Sequence, residues 1–132
     1  MKKEFYVGQS GSFSKTLMQS DVYQFAGIVG DFNPVHMNEV EARNSIFGKQ
    51  VCHGMLTASL ISTVIGTVMP GQGSIYLGQT LKFLKPVFFG DTITATVTVT
   101  DIDEEKGILT LKTEETNQND VLVVVGEAKV KV

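Results

Sequence analysis

Polar and apolar residues alternate most clearly in the second half of the chain. In TITATVTVT, residues 92–100, Thr occupies every second position and the positions between are apolar. This two-residue period predicts a strand with one buried face. DEEKG, residues 103–107, and NQND, residues 117–120, predict turns into two more strands, ILTLKTEETNQ and VLVVVGEAKVKV. Together these segments indicate an antiparallel meander.

Two other segments are also predicted to form strands. One lies within residues 10–17. The other is contained in SIYLGQTLKFLKPVFFGD, where a strand is expected to run to about Lys85 before a turn at Gly90-Asp91. The predicted sheet therefore receives strands from both ends of the chain.

Helical periodicity appears first after residue 20. Ser20 is the expected N-cap, and Gly30 is the expected end of the helix. Between them, four apolar residues follow the i, i+3, i+4, i+7 spacing of an amphipathic helix: Val22, Phe25, Ala26 and Val29.

A longer helix is predicted from Gly54 to Met69, in a segment without charged residues between Lys49 and Lys82. Its apolar part is well short of the ~20 residues that a bilayer requires, so no membrane span is expected. One side carries the bulky residues Leu60, Ile61, Val64, Ile65 and Val68, and the other the small residues Ser59, Thr63 and Gly66. Because neither side is charged, we expect this helix to be covered on most sides within a protein core.

A long apolar helix followed by an antiparallel meander favours an α+β hot-dog fold, in which the sheet wraps around the central helix. A ferredoxin-like or split α+β arrangement uses similar elements and remains an alternative. The 132 residues fit one domain, residues 1–132. Joining of two sheets at their edges would cover exposed strand edges, so a homodimer is expected.

Composition excludes several classes of partner and site. The net charge of -3, the pI near 5.3 and the absence of a dense Lys/Arg run argue against binding to nucleic acid or to an anionic membrane. The single Cys52 excludes an internal disulfide and a cysteine-built metal site. With no apolar segment after MKKE to form a signal peptide, we expect an unprocessed cytoplasmic protein.

The segment GDFNPVHMN, residues 30–38, carries the first candidate chemistry. Pro34 disfavours a helix interior and restricts Asn33 to extended geometry, so residues 31–36 are expected to form a turn. Asp31 and His36 would project from it, a carboxylate beside the side chain whose ordinary pKa lies nearest neutrality. The alternative is that Asp31 caps the turn and His36 only packs. Asn33 is expected to support the turn through its side chain.

Two further signals follow this segment. Asn38, with Glu41 three residues later, predicts the start of a short helix. Gly54 opens the long helix, where N–H groups lack internal partners and a missing Cβ lets a ligand approach, which suggests an oxyanion hole. An ordinary glycine near a helix start is the alternative. The preceding His53 is expected to be a cap or packing group, and Cys52 is a weak candidate nucleophile.

Three blocks in this order, GDFNPVHMN, VCHGMLTASLIS and LKFLKPVFFGDTITATV, closely resemble the MaoC-like (R)-specific enoyl-CoA hydratases, also called hydratase 2. The similarity extends from about Val7 to the C-terminus. It implies a hot-dog homodimer that reversibly adds water to a trans-2-enoyl-CoA, giving a (3R)-hydroxyacyl-CoA. The family's catalytic Asp and His fall on Asp31 and His36, and its oxyanion glycine falls on Gly54.

The residue types suit that chemistry even without the family resemblance. Hydration of a conjugated thioester needs a base, an acid and a stabiliser of enolate-like charge, and it needs no metal or other cofactor apart from the coenzyme A of the substrate. Whether Asp31 or His36 takes the proton from water stays open, because the two groups can titrate as a coupled pair.

Helical geometry extends the predicted site along the helix. The same side of the helix as Gly54 carries Ala58, Ser62 and Ile65, which are therefore candidates to line the acyl path. Ser62 is also a candidate hydrogen-bond partner of the catalytic dyad formed by Asp31 and His36. The alternative is that Ser62 bonds its own helix and that Ile65 is core. Acyl chain length would depend on the packing of Ile65 and Val130. The CoA nucleotide is expected near Lys82 or Lys85 or across a dimer interface.

Other functions of the same fold remain to be weighed. Hot-dog acyl thioesterases and acyl-carrier-protein dehydratases are expected to use a carboxylate on or near the long helix, and residues 54–69 contain none. A non-catalytic acyl-CoA-binding or assembly subunit that keeps the motif is the alternative from a different class.

Overall fold

The protein is described by a computed structural model that covers residues 3–132. The helices are α1 Gln19–Val29, α2 Pro34–Met37, α3 Glu39–Arg43 and α4 Gly54–Thr67. The strands are β1 Ser10–Thr16, β2 Ile75–Gln79, β3 Lys82–Phe83, β4 Thr92–Asp103, β5 Ile108–Thr116 and β6 Leu122–Lys131.

The six strands form one antiparallel sheet. Its order is β1-β4-β5-β6-β2, and β3 also pairs with β6. Strands β4, β5 and β6 are consecutive neighbours joined by hairpins, which confirms the predicted meander. Within β4 the residues between the threonines are buried and the threonines are less so, as the alternation predicted.

Helix α4 packs its bulky side against the inner face of this curled sheet. Ile61, Val64 and Ile65 join the apolar residues of β4 and β5 in one core cluster, and each fully buried aliphatic side chain of this kind contributes roughly 1.5–3 kcal/mol. A Cβ at Gly11 of β1 would stand 2.9 Å from the Cβ of Met69, so the glycine permits the close approach of the segment after α4. A curled antiparallel sheet around a long helix is the predicted hot-dog arrangement.

Contrary to the prediction, the small side of α4 is not covered. Ser59 and Gly66 are exposed, and a Cβ built on Gly66 meets no atom of residues 3–132 within 4 Å. The prediction that the helix is enclosed on most sides is therefore wrong for a single chain, because the sheet reaches only the bulky stripe. Helix α4 also ends at Thr67, two residues before Met69.

The start of α1 differs from the prediction as well. Met18, not Ser20, is the N-cap residue, and the carboxylate of Asp21 accepts a hydrogen bond from the Met18 N–H at 2.8 Å. The Asp21 side chain thus reaches back to the N-cap backbone, which is the half of a capping box that needs no polar side chain on the N-cap residue. Gly30 ends the helix with a φ of 83°, as predicted.

The strand predicted to continue to Lys85 is divided into the short strands β2 and β3. A register shift falls between Tyr76 and Gly78, and Thr80, between the two strands, lies close to Gly126 of β6. A Cβ there would collide with the carbonyl oxygen of Thr80. Among the residues described, no helix is long and apolar enough to cross a bilayer.

Candidate active site

The segment that carries Asp31 and His36 is more regular than predicted. Pro34 begins α2, so the expectation of a turn through residue 36 is wrong beyond Asn33. Proline is accepted at the first position of a helix, where its missing N–H has no intrahelical partner to lose. The Asn33 side chain accepts a hydrogen bond from the Val35 N–H at 3.3 Å and caps the helix. His36 therefore projects from a helical turn with a fixed start.

The next helix begins where the sequence predicted it. Asn38 is the N-cap of α3, and its side-chain oxygen accepts a hydrogen bond from the Glu41 N–H at 3.0 Å. Helices α2 and α3 thus follow each other directly, with one capping asparagine before each. This pair of capped helices carries His36.

Asp31 and His36 have different surroundings. The exposed carboxylate of Asp31 accepts a hydrogen bond from the Asn33 N–H at 3.2 Å through Oδ1. The half-buried ring of His36 has its Nδ1 at 2.7 Å from the carbonyl oxygen of Val51. Because a carbonyl oxygen only accepts, Nδ1 carries the proton, and Nε2 of the neutral ring keeps its lone pair.

The surroundings of His36 favour that neutral form. Burial lowers the pKa of His36 below its ordinary 6.5, and the neighbouring His53 lowers it further. The hydrogen bond to the Val51 carbonyl and the charge of Asp31 act in the opposite direction without reversing the outcome. His36 is thus suited to accept a proton near neutral pH.

His53 is an additional residue of the site, beyond the packing or capping group that the sequence suggested. It is 2% exposed, and its Nε2 lies 2.9 Å from the carbonyl oxygen of Asp31. Its ring stacks on that of His36 with centroids 3.9 Å apart, and the edge of Phe25 packs against it. Residue 53 is the N-cap of α4, but its side chain makes no capping hydrogen bond.

Asp31, His36 and His53 form a compact cluster. One carboxylate oxygen and one ring nitrogen from each histidine lie within 4.8 Å of one another. That span suits one water molecule held between the groups.

Gly54 is the first residue of α4, and it faces the same region. Among the residues that the structure describes, its N–H has no hydrogen-bond partner. A Cβ at this position would stand 2.8 Å from the ring of Phe83. The glycine therefore combines an available N–H with room for the aromatic ring that packs over the helix start.

A cavity of about 630 Å³ connects these groups. Asp31, His36 and Gly54 all line it, together with Asn33 and His53. Its other walls are largely apolar, and Lys85 contributes a charged group there, whereas Lys82 does not reach it. The cavity thus brings the predicted acid–base pair and the predicted oxyanion donor to one space.

The residues predicted farther along α4 are not among those that line this cavity. Ala58 and Ile65 are buried, and Ser62 is exposed. Within residues 3–132, the Ser62 hydroxyl makes no hydrogen bond to Asp31, to His36 or to a carbonyl of its own helix. In a single chain the three residues predicted to line an acyl path thus lie outside the cavity that contains Asp31 and His36.

Cys52 lies beside the site but is poorly suited to act as a nucleophile. The residue is 5% exposed, and burial raises the pKa of its thiol to about 12. Since the thiolate is the reactive form, this side chain is an inert part of the cavity wall.

Comparison with known families accounts for this arrangement. Residues 6–121 match the family described as MaoC like domain. The chain belongs to the MaoC-like domain family. The match includes Asp31, His36, His53 and Gly54, and therefore the whole cluster around the cavity.

Two curated relatives of this MaoC-like chain have the same name. The (R)-specific enoyl-CoA hydratase of Rhodospirillum rubrum is 50% identical over 125 residues, which cover 95% of this chain and 86% of the relative. The (R)-specific enoyl-CoA hydratase of Aeromonas caviae is 47% identical over 125 residues, covering 95% and 93%. The family resemblance found in the three sequence blocks is confirmed.

A solved structure of a related protein has the same fold. The (R)-hydratase from A. caviae involved in PHA biosynthesis superposes with a TM-score of 0.95 and 45% identity, and the alignment covers 99% of both chains. The hot-dog prediction is confirmed, and the ferredoxin-like alternative is wrong.

Proposed function

We propose that this protein is an (R)-specific enoyl-CoA hydratase, which reversibly adds water to a trans-2-enoyl-CoA to give a (3R)-hydroxyacyl-CoA. One observation carries the proposal: Asp31, His36 and the N–H end of α4 at Gly54 line a single cavity. The names of the two curated relatives support the same reaction.

In this proposal Asp31 and His36 orient the attacking water and accept its proton. His36 offers Nε2 as the acceptor because its Nδ1–H is held by the Val51 carbonyl. Asp31 orients the same water through the carboxylate oxygen that is free of the Asn33 N–H. As the water oxygen attacks C3, one water proton moves to the dyad, and a proton is returned to C2 on the same face. The two groups act as a unit, so either one can hold the proton between these steps.

Gly54 is the proposed hydrogen-bond donor to the thioester oxygen. Attack at C3 moves the electron pair of the double bond toward the thioester oxygen, which gains negative charge. The Gly54 N–H and the positive end of the α4 dipole would stabilise this charge, and a donor of this kind contributes ~3 kcal/mol to transition-state stabilisation. The proposed reaction requires no metal and no cofactor beyond the coenzyme A of the substrate.

We further propose how the substrate lies. Lys85 at the cavity wall is better placed than Lys82 to meet the polar CoA portion. The acyl chain would extend along the side of α4 that carries Ala58, Ser62 and Ile65. Because Ser62 is exposed in a single chain, this path needs a further cover.

A homodimer would provide such a cover, and it is part of the proposal. The edge strand β2 exposes Ile75 and Leu77, which are 58% and 51% exposed, and the small side of α4 is also open. A second copy that packs there would bury apolar surface and protect the strand edge. We also propose a cytoplasmic location, where the acyl-CoA substrate occurs.

Hydration of crotonyl-CoA tests the proposed function directly. The purified protein should remove the enoyl absorbance, and a stereospecific dehydrogenase should show that the product is the (3R) isomer. Release of free CoA, measured with a thiol reagent, would instead indicate a thioesterase. Tight binding of crotonyl-CoA in calorimetry without any turnover would favour the acyl-CoA-binding alternative and would contradict the hydratase proposal.

A further inference from the structure

His53 contacts both members of the dyad, although it is separated from Asp31 by 22 positions in the chain. It reaches Asp31 through the backbone carbonyl, with its Nε2 at 2.9 Å, and it reaches His36 through the ring face, with centroids 3.9 Å apart. We infer that His53 is a positioning residue of the proposed hydratase reaction, holding Asp31 by its Nε2–H and supporting the ring of His36. This inference rests on the proposed function.

The first contact restrains the backbone that carries the carboxylate. Asp31 follows Gly30, the C-cap of α1, and its exposed side chain is otherwise held only by the local hydrogen bond from the Asn33 N–H within residues 3–132. A carbonyl oxygen only accepts, so the Nε2 of His53 must donate. His53 itself is 2% exposed and is the N-cap residue of α4, and it therefore ties Asp31 to the start of the core helix.

The second contact restrains and tunes the imidazole. His36 is held at one edge by the Val51 carbonyl, and the ring of His53 closes one of its faces. The stacked ring excludes water from that face, and both burial and the proximity of His53 lower the pKa of His36. A histidine that stays neutral at lower pH remains available as a base.

The electrostatic surroundings of His53 contain few other charges. Asp31 and His36 lie against it, the neutral thiol of Cys52 precedes it, and Lys85 lies on the same cavity wall. The Nδ1 of His53 is buried and has no hydrogen-bond partner within residues 3–132. A buried polar atom without a partner is costly and would be lost if the residue served packing alone. The donor at Nε2 and the shape of the ring explain a histidine here better than packing does.

Two substitutions separate the two contacts. His53→Gln keeps an amide N–H that can reach the Asp31 carbonyl but removes the stacked ring. His53→Phe keeps a ring against His36 but has no donor. Circular dichroism and thermal unfolding establish that each variant is folded. If His53→Phe does not fold, His53→Leu replaces it, because leucine also has no donor and can be compared with His53→Gln, which lacks the ring but keeps a donor.

The first readout does not depend on catalysis. The chain has only two histidines, so in His53→Gln the only imidazole signals in an NMR titration belong to His36. We expect the His36 pKa in this variant to rise by about half a unit or more relative to the native protein. A His36 titration within about 0.2 units of the native value would contradict the inferred influence of the stacked ring.

The second readout is kinetic. We expect His53→Phe to lose at least about tenfold in kcat with a smaller change in KM, because the Asp31 backbone is released. His53→Gln should keep more of kcat, while the acid limb of its pH–rate profile moves to higher pH. Folded variants with kcat within about threefold of native and an unmoved acid limb would overturn the inference. If the native protein hydrates no enoyl-CoA, the proposed function fails, while the NMR titration still decides whether His53 controls His36.

Discussion

Glu115 lies opposite Val124 in the register of β5 and β6, on the buried face of the sheet. The residue is fully buried, and neither carboxylate oxygen has a hydrogen-bond partner in the described part of the chain. Burial raises the pKa of Glu115 from its ordinary 4.5 to about 8. A carboxyl group in such surroundings is held in its neutral form because desolvation penalises the charge.

We expect Glu115 to make stability depend on pH. Between pH 4.5 and about 8 the folded protein keeps a proton that the unfolded chain releases, so the free energy of unfolding falls as pH rises through this window and then levels off. Glu115→Gln has no proton to lose. Relative to native, the variant should become more stable across the window, by at most roughly 5 kcal/mol, as measured by urea unfolding at several pH values.

The neighbouring Glu114 offers a matched control. Its carboxylate pairs with Lys112 at 3.0 Å and is partly exposed. Because exposed ion pairs contribute only ~0–1 kcal/mol, Glu114→Gln should change stability little at any pH. A Glu115→Gln protein whose pH dependence equals that of native would show that the buried carboxyl does not stay protonated.

The catalytic proposal predicts large losses at the dyad. Asp31→Asn and His36→Ala should each reduce kcat/KM for crotonyl-CoA at least ~100-fold, because each removes a proton-transfer or water-orienting group. The exposed Glu105→Gln in the β4–β5 turn should stay near native activity. Retention of most activity in both dyad variants, with unchanged folding, would discredit Asp31 and His36 as the reacting groups.

The pH–rate profile should report the lowered pKa of His36. The base must be neutral to accept the water proton, so activity falls only when pH drops through the pKa of His36. Since burial places that pKa below 6.5, kcat/KM should exceed half of its maximum at pH 6.5 and should decline at lower pH. An acid limb centred at or above pH 6.5 in the native protein would contradict this assignment.

The sequence predicted those parts of the molecule that local patterns determine. The alternation in β4 and the apolar stripe of α4 follow from side-chain periodicity. Both are found in the structure, except that Val68 of the stripe lies after the end of α4 and is 48% exposed. The N-cap of α1 was missed because Met18 has no polar capping side chain and is bonded only through its backbone N–H, by Asp21. The break between β2 and β3 was missed because it depends on the approach of Thr80 to Gly126, a contact between distant segments.

The same distinction applies to the site. Asp31 and His36 could be selected from one nine-residue segment because their residue types and the adjacent proline are local signals. The role of His53 could not, since its partners become apparent only when the start of α4 packs against the end of α1. Only its position before Gly54 marked it in the sequence, and that position suggested a cap.

Gly54 allows the contribution of a single N–H to be isolated. Its N–H has no partner within residues 3–132, and the preceding His53 has a φ of -59° and a ψ of 135°, an extended conformation that a following proline accepts. Proline also suits the first position of a helix. Gly54→Pro should therefore keep α4 while it removes the proposed oxyanion donor.

Gly54→Ala is the necessary comparison, because both variants bring a Cβ toward the Phe83 ring, 2.8 Å from the ideal Cβ position. Phe83 is 51% exposed and has room to turn aside, so we expect Gly54→Ala to fold and to lose less activity. The additional loss in kcat from alanine to proline should be about 100-fold or more, the cost of one oxyanion donor. Equal kcat values in two folded variants would mean that the Gly54 N–H does not stabilise the thioester oxygen, and that the charge is taken up elsewhere in the cavity.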